Sequence, residues 1–141
     1  MVEIIRMGPI SLRFLQSKEE TDSSVDIFEM TLQPDARMPV AHYHDSWDET
    51  IYGLTGATSV RVGDRDHEVT PGESVFIKRG IVHGFVNRSG QETRCLCVLT
   101  PGRLGPAYFR EVAAVLGQGA PDPVKMKAIM LRYGLVPAPA G

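Results

Sequence analysis

The chain has 141 residues, 43% apolar and 23% charged, with fifteen Lys and Arg against seventeen Asp and Glu for a net charge of −2. That is the length and make-up of one ordinary globular domain, and the near-balanced charge without a large basic patch excludes nucleic acid and an anionic membrane surface as expected partners. No apolar run reaches the roughly 18 residues of a bilayer-spanning helix, and the opening MVEIIRMGPISLRF lacks the order of a signal peptide, so the expected location is cytoplasmic.

Up to about residue 100, Gly and Pro punctuate short runs rich in Val, Ile, Thr and Phe, the pattern of an all-β sandwich or barrel. The runs predict strands at Val2–Met7, Ser11–Leu15, Val25–Leu32, Val40–His44, Thr50–Leu54, Ala57–Val62, Asp66–Val69, Ser74–Ile77, His83–Asn87 and Thr93–Leu99. Gly63-Asp64 between two of them is a hairpin signal, because both residues tolerate positive φ. Cys95 and Cys97 share one face of the last strand, roughly 7 Å apart along it, and read as reduced, buried thiols.

Beyond Pro101-Gly102 the period changes. Phe109, Val112, Ala113 and Leu116 lie at the spacing of one helix face, and Gly117 ends the run. Asp122-Pro123 then reads as an N-cap followed by Pro at the first helical position, with Met126, Met130 and Tyr133 on one face and Gly134 as terminator. The final PAPAG reads as frayed. The expected organisation is a β-barrel domain over residues 1–102, with its motif core at 34–100, and a helical extension over 103–141 that caps the barrel, packs on its outer face or reaches a partner subunit.

Three of the four His fall in two short segments. In AHYHDSWDETIYGLTG, His42 and His44 are two apart and face the same side of a strand. A loop over Asp45–Asp48 would bring Glu49 across from His44 on an adjacent returning strand, with Asp48 pointing away. In PGESVFIKRGIVHGFVN, His83 starts a strand that, laid beside the first pair, supplies a third imidazole. Three imidazoles and a carboxylate suit one divalent transition metal at roughly 2.0–2.2 Å per bond, with positions left open for a substrate. Side-chain parity puts Met38 and Val40 with His42 and His44, Ile51 with Glu49, and Phe85 with His83, which predicts a largely apolar pocket for a small molecule.

His42-x-His44-x4-Glu49-x6-Gly56, followed by Gly72-x5-Lys78-x-Gly80-x2-His83-x3-Asn87, resembles the two motifs of the cupin superfamily. The resemblance implies a double-stranded β-helix (jelly-roll) barrel around a metal held by His42, His44, Glu49 and His83; the ion would be Fe, Mn, Ni, Cu, Co or Zn. Two positions depart from the motifs: Ala36 stands where Gly is usual and Lys78 where Pro is usual, both at turns that Pro34-Asp35 and Gly80 can still form. The tail is similar to that of cupins grouped with quercetin dioxygenase, which implies a metal-dependent oxygenase acting on a small enolisable or aromatic molecule, with Glu49 as ligand and general base, and a homodimer. Since a shared fold does not fix a reaction, the alternatives are a non-redox isomerase or lyase and a non-catalytic ligand-binding or sensing module.

Other residues near the motifs read as structural. Trp47 packs against the barrel rim or walls the pocket, Tyr43 packs between sheets or in a dimer contact, and His67 is solvated beside the hairpin turn. Asn87 is a turn residue at a strand end, and Lys78 and Arg79 are exposed.

Overall fold

A computed structural model describes residues 3–38, 40–120 and 122–138. The strands are β1 (Ile4–Met7), β2 (Ile10–Gln16), β3 (Asp26–Leu32), β4 (His42–His44), β5 (Asp48–Thr55), β6 (Thr58–Val62), β7 (Arg65–Val69), β8 (Ser74–Ile77), β9 (His83–Val86) and β10 (Thr93–Thr100), followed by helices α1 (Pro106–Leu116) and α2 (Pro123–Tyr133) and a last strand β11 (Leu135–Pro137). They form a six-stranded sheet in the order β1-β2-β3-β10-β5-β8 and a five-stranded sheet in the order β11-β4-β9-β6-β7. The two sheets enclose the core, as in the jelly-roll barrel that the motifs imply.

Period-two burial explains the pairing. In β3, Asp26, Phe28, Met30 and Leu32 face inward, and in β10 so do Thr93, Cys95, Cys97 and Leu99. Both cysteines are free and buried, as expected. Gly63-Asp64 closes the β6–β7 hairpin, with Val62 opposite Arg65 and Gly63 at φ 60°, the positive φ that a two-residue loop needs. Both departures from the family motifs are absorbed by turns. Ala36 N–H donates to Gln33 O at 3.0 Å over Asp35 at φ 67°, and Ile81 N–H donates to Lys78 O at 3.2 Å over Gly80 at φ 86°. Asn87 is more than a turn residue: fully buried, its amide donates to the carbonyls of Leu32, Gln33 and Gln91, and so ties the end of β9 to the end of β3.

The helices follow their caps. The Asp122 side chain accepts from Val124 N–H at 2.9 Å and Lys125 N–H at 3.4 Å, Pro123 starts α2, and Gly134 ends it in the left-handed region. Phe109 on α1 packs its ring on Phe14 and Phe28 at 5.9 and 5.4 Å, so the hairpin seats on the barrel through aromatic contacts.

Two expectations are corrected. Glu49 is not on a strand adjacent to His44: β4 and β5 belong to different sheets, and Asp45–Trp47 crosses between them. So short a connection reads equally well as a tight hairpin or as a crossing, and only the partners of each strand decide. The PAPAG tail does not begin as a frayed end. Leu135–Pro137 pairs with β4, placing Leu135 opposite His44 and Pro137 opposite His42, and Ala138 N–H donates to Ala41 O at 2.8 Å. Three residues ending in Pro give no alternation to read, and Pro is tolerated there because β11 is an edge strand. Residues 139–141 of that tail lie outside the described residues.

Candidate metal centre

β4 turns His42 and His44 inward and leaves Tyr43 half-buried on the other face. His83, first residue of β9, pairs directly with His42. The three imidazoles are buried, their rings 4.6 to 5.1 Å apart, and each offers a nitrogen within 4.8 Å of the others. Their orientation is partly fixed by the backbone. His42 Nδ1 lies 3.0 Å from Val40 O, and His83 Nδ1 lies 3.0 Å from Ile81 O. A carbonyl only accepts, so each Nδ1 carries the proton and each Nε2 keeps its lone pair.

Those lone pairs fit a cation. His83 Nε2 is buried without a hydrogen-bond partner among the described residues, and the Nε2 atoms of His42 and His44 lie 3.2 Å apart. That spacing is less than twice a metal–nitrogen bond of roughly 2.0–2.1 Å, so one ion reaches both. Protons do not serve in its place: burial, reinforced by the neighbouring His83, pushes the His42 pKa down to about 4 and that of His44 to about 2, and burial lowers that of His83.

Glu49 reaches the cluster from the opposite sheet. Its Oε1 lies 3.8 Å from His44 Nε2 and 3.7 Å from His83 Nε2. Burial pushes its pKa up to about 7, against a hydrogen bond from the Cys97 thiol that favours the carboxylate. The structure therefore brings the three histidines together as one potential ligand set, with Glu49 beside it. His67, half-buried on β7, takes no part.

The crossing that carries Glu49 is clamped from outside. The Asp48 carboxylate accepts from the Arg79 guanidinium at 3.1 Å and from Arg79 N–H at 2.9 Å, which holds its pKa down to about 2. Gly80 N–H donates to His44 O at 2.9 Å, so the turn before β9 is bonded to both ends of the crossing. Trp47, inside the crossing, is fully buried and stacks on His44 with ring centroids 4.6 Å apart and planes 21° apart. It packs against a candidate ligand and does not line the cavity.

A cavity opens on His42, His44 and Glu49, with Met38, Val40 and Phe85 in its wall. Ile51 is not in that wall. It shares the parity of Glu49 but sits two residues further along β5, opposite Cys97 and Val75, in the packed core. Sequence reading missed the other side, where the helical hairpin contributes Tyr108, Phe109, Val112, Met126 and Met130. The one signal available was the apolar face of each helix, which says that a helix is covered but not by what. Among the described residues, Tyr108 is the one lining residue besides His42, His44 and Glu49 with a polar side chain other than thioether, and no Lys or Arg lines the cavity.

Comparison with known proteins agrees with this architecture. No functionally curated protein matches the chain by sequence. Among solved structures, it is similar to the polyketide cyclase RemF from Streptomyces resistomycificus, with 32% identity over 71% of this chain and 72% of that one at a TM-score of 0.60. It is also similar to a cupin-superfamily sugar phosphate isomerase from Silicibacter pomeroyi, at 27% identity over 67% of this chain and a TM-score of 0.58; the match spans 60% of the isomerase, less than two thirds of its length. A predicted oxalate decarboxylase from Thermotoga maritima, 22% identical over 72% of this chain and 92% of that one, shares the fold at a TM-score of 0.64. The cupin domain model matches residues 28–99, the stretch from β3 to β10 that holds all three histidines and Glu49. With that match, the inward-facing imidazoles and the two enclosing sheets, the chain belongs to the cupin family.

Proposed function

We propose that this cupin is a metal-dependent enzyme that moves a proton on a small, largely apolar molecule with an enolisable carbonyl. The observation that carries the reading is the placement of Glu49 beside three buried imidazoles at the polar end of an otherwise apolar cavity. His42, His44 and His83 would hold the ion, with Glu49 close enough to join them. A divalent metal there supplies Lewis acidity that polarises a carbonyl and acidifies the adjacent C–H. The Glu49 carboxylate takes that proton and returns it to another atom, a role its place beside the would-be ligands allows, with Oε1 3.8 Å from His44 Nε2 and 3.7 Å from His83 Nε2. The neutral imidazoles do not compete for the proton, and the helical hairpin lines the cavity with apolar side chains. Tyr108 offers its hydroxyl to a second oxygen of the substrate.

The comparisons support a carbonyl substrate, since one similar structure is named a polyketide cyclase and another a sugar phosphate isomerase. Of these two kinds of substrate the cavity favours the apolar one, because the described residues of its wall include no Lys or Arg to meet a phosphate. The test is anaerobic exchange of the α-hydrogens of a β-diketone in D2O, followed by NMR, with protein loaded with Zn(II) or Co(II). Metal-dependent exchange is expected. Protein that binds no metal, or loaded protein that exchanges no hydrogen on any β-diketone tried, would overturn the reading.

The oxygenase implied by the tail resemblance uses the same groups and is the second reading, favoured by the largely apolar lining of the cavity, which suits O2 and an apolar enolate. Oxygen uptake with Fe(II), Mn(II), Ni(II) or Cu(II) but no anaerobic exchange would select it.

A further inference from the structure

The three candidate ligands are not held alike. His42 and His83 each anchor Nδ1 on a backbone carbonyl at 3.0 Å, whereas His44 Nδ1 is buried with no partner among the described residues. The His44 ring meets His83 edge-on at 4.6 Å and is covered on one face by the indole of Trp47, stacked at 4.6 Å. Trp47 is itself held from behind by the C-terminal segment. Gly134 adopts φ 90°, and a Cβ built there would lie 3.1 Å from the indole and 2.7 Å from the Asp45 carboxylate. Asp45 N–H donates to Gly134 O at 3.0 Å, and the next residue, Leu135, is the strand partner of His44. The end of α2 therefore touches the ligand strand at the backbone, at the indole and across the β11–β4 pair.

We infer that Trp47 is a positioning residue for His44 and that Gly134 sets the position of Trp47, so that the C-terminal hairpin is a working part of the metal centre as well as the roof of its cavity. The inference rests on the proposed metal binding. Stacking replaces the hydrogen bond that usually orients a ligating imidazole, and such supporting contacts commonly govern metal affinity by roughly 10–100-fold. Gly134 is required twice over, by the left-handed backbone and by the absence of room for a side chain.

The test uses the full chain and Co(II), with affinity measured by competition against a chromophoric chelator and metal-free stability by thermal unfolding. Trp47→Leu and Gly134→Ala are expected to weaken Co(II) binding about tenfold or more, and Trp47→Phe, which keeps a stacking ring, to stay within about threefold of the wild type. Ile129→Ala is the control: buried on α2 but absent from the cavity wall, it should lower stability and leave affinity unchanged. Trp47 is the sole tryptophan, so its emission should be quenched as Co(II) binds unaltered protein, a readout that needs no variant. Wild-type protein that binds no Co(II) overturns this inference together with the metal reading. Binding with undisturbed Trp47 emission, or a loss in Trp47→Leu and Gly134→Ala no greater than in Ile129→Ala, overturns this inference alone.

Discussion

The two sheets meet at the centre with opposite chemistry, and burial acts on them in opposite directions. The five-stranded sheet contributes three imidazoles whose pKa values fall, and the six-stranded sheet contributes a carboxyl whose pKa rises to about 7. Both shifts favour the uncharged form, since a low-dielectric interior disfavours charge of either sign. The bases are left with free lone pairs and the acid is left able to give or take a proton near neutrality. On the proposed reading one sheet binds and the other reacts, although His42, His44 and Glu49 lie within eight residues of one another.

Removing the binding side should have the largest effect. His42→Ala and His83→Ala are each expected to lower metal content by more than about 100-fold, read by elemental analysis of purified protein, since a ligand matters at least as much as the 10–100-fold typical of its supporting contacts. Near-stoichiometric metal in either variant would break the comparison. Removing the reacting side should spare binding: Glu49→Gln is expected to cut α-hydrogen exchange about 10²–10⁴-fold while metal content stays close to that of the wild type. Loss of metal in Glu49→Gln would make Glu49 a ligand first and a base second.

The opposed shifts also sharpen the comparison through pH. The folded-state pKa of His42 is depressed to about 4, so its contribution to stability is full above about 6.5 and is lost as pH falls through 4, a change of about 3 kcal/mol. Glu49 runs the other way: its contribution is present below the ordinary carboxylate range and is lost as pH rises through about 7. Between about pH 4.5 and 6.5 these two oppose each other, but three imidazoles are depressed against one raised carboxyl, so metal-free protein should lose stability as pH falls from about 6.5 towards 4 and only slightly as it rises through 7; thermal unfolding across pH 4–8 checks this, and a flat profile would contradict it. The smallest effect is expected at the roof, where Tyr108→Phe should raise KM for oxygen-rich β-diketones about three- to tenfold and leave metal content unchanged, as suits the loss of one neutral hydrogen bond.

Much of the barrel was legible because β-strands that face a core on one side print that face in every second residue. Asp26-Ile-Phe-Glu-Met-Thr-Leu32 and Thr93-Arg-Cys-Leu-Cys-Val-Leu99 alternate, and both are strands with the expected faces inward. The helices were legible from Asp122-Pro123 and Gly134, whose side chains or lack of one satisfy the ends of a helix locally. Short elements were not. β11 has three residues and forms because β4 offers an unpaired edge, a fact about a strand some 90 residues away. The error over Glu49 has the same origin, since which strand lies next to β5 depends on β10 and β8, not on the loop before it.

The order of residues alone settled which groups could bind and which way each points, because spacing along a strand fixes the face of a side chain. Distances were decided only by the assembled molecule: Glu49 approaches from across the barrel, Ile51 falls into the packed core, and helices remote in sequence close the cavity and brace Trp47 against His44. The reason is that parity is a local property of the backbone, whereas a contact between sheets depends on the packing of every strand between them.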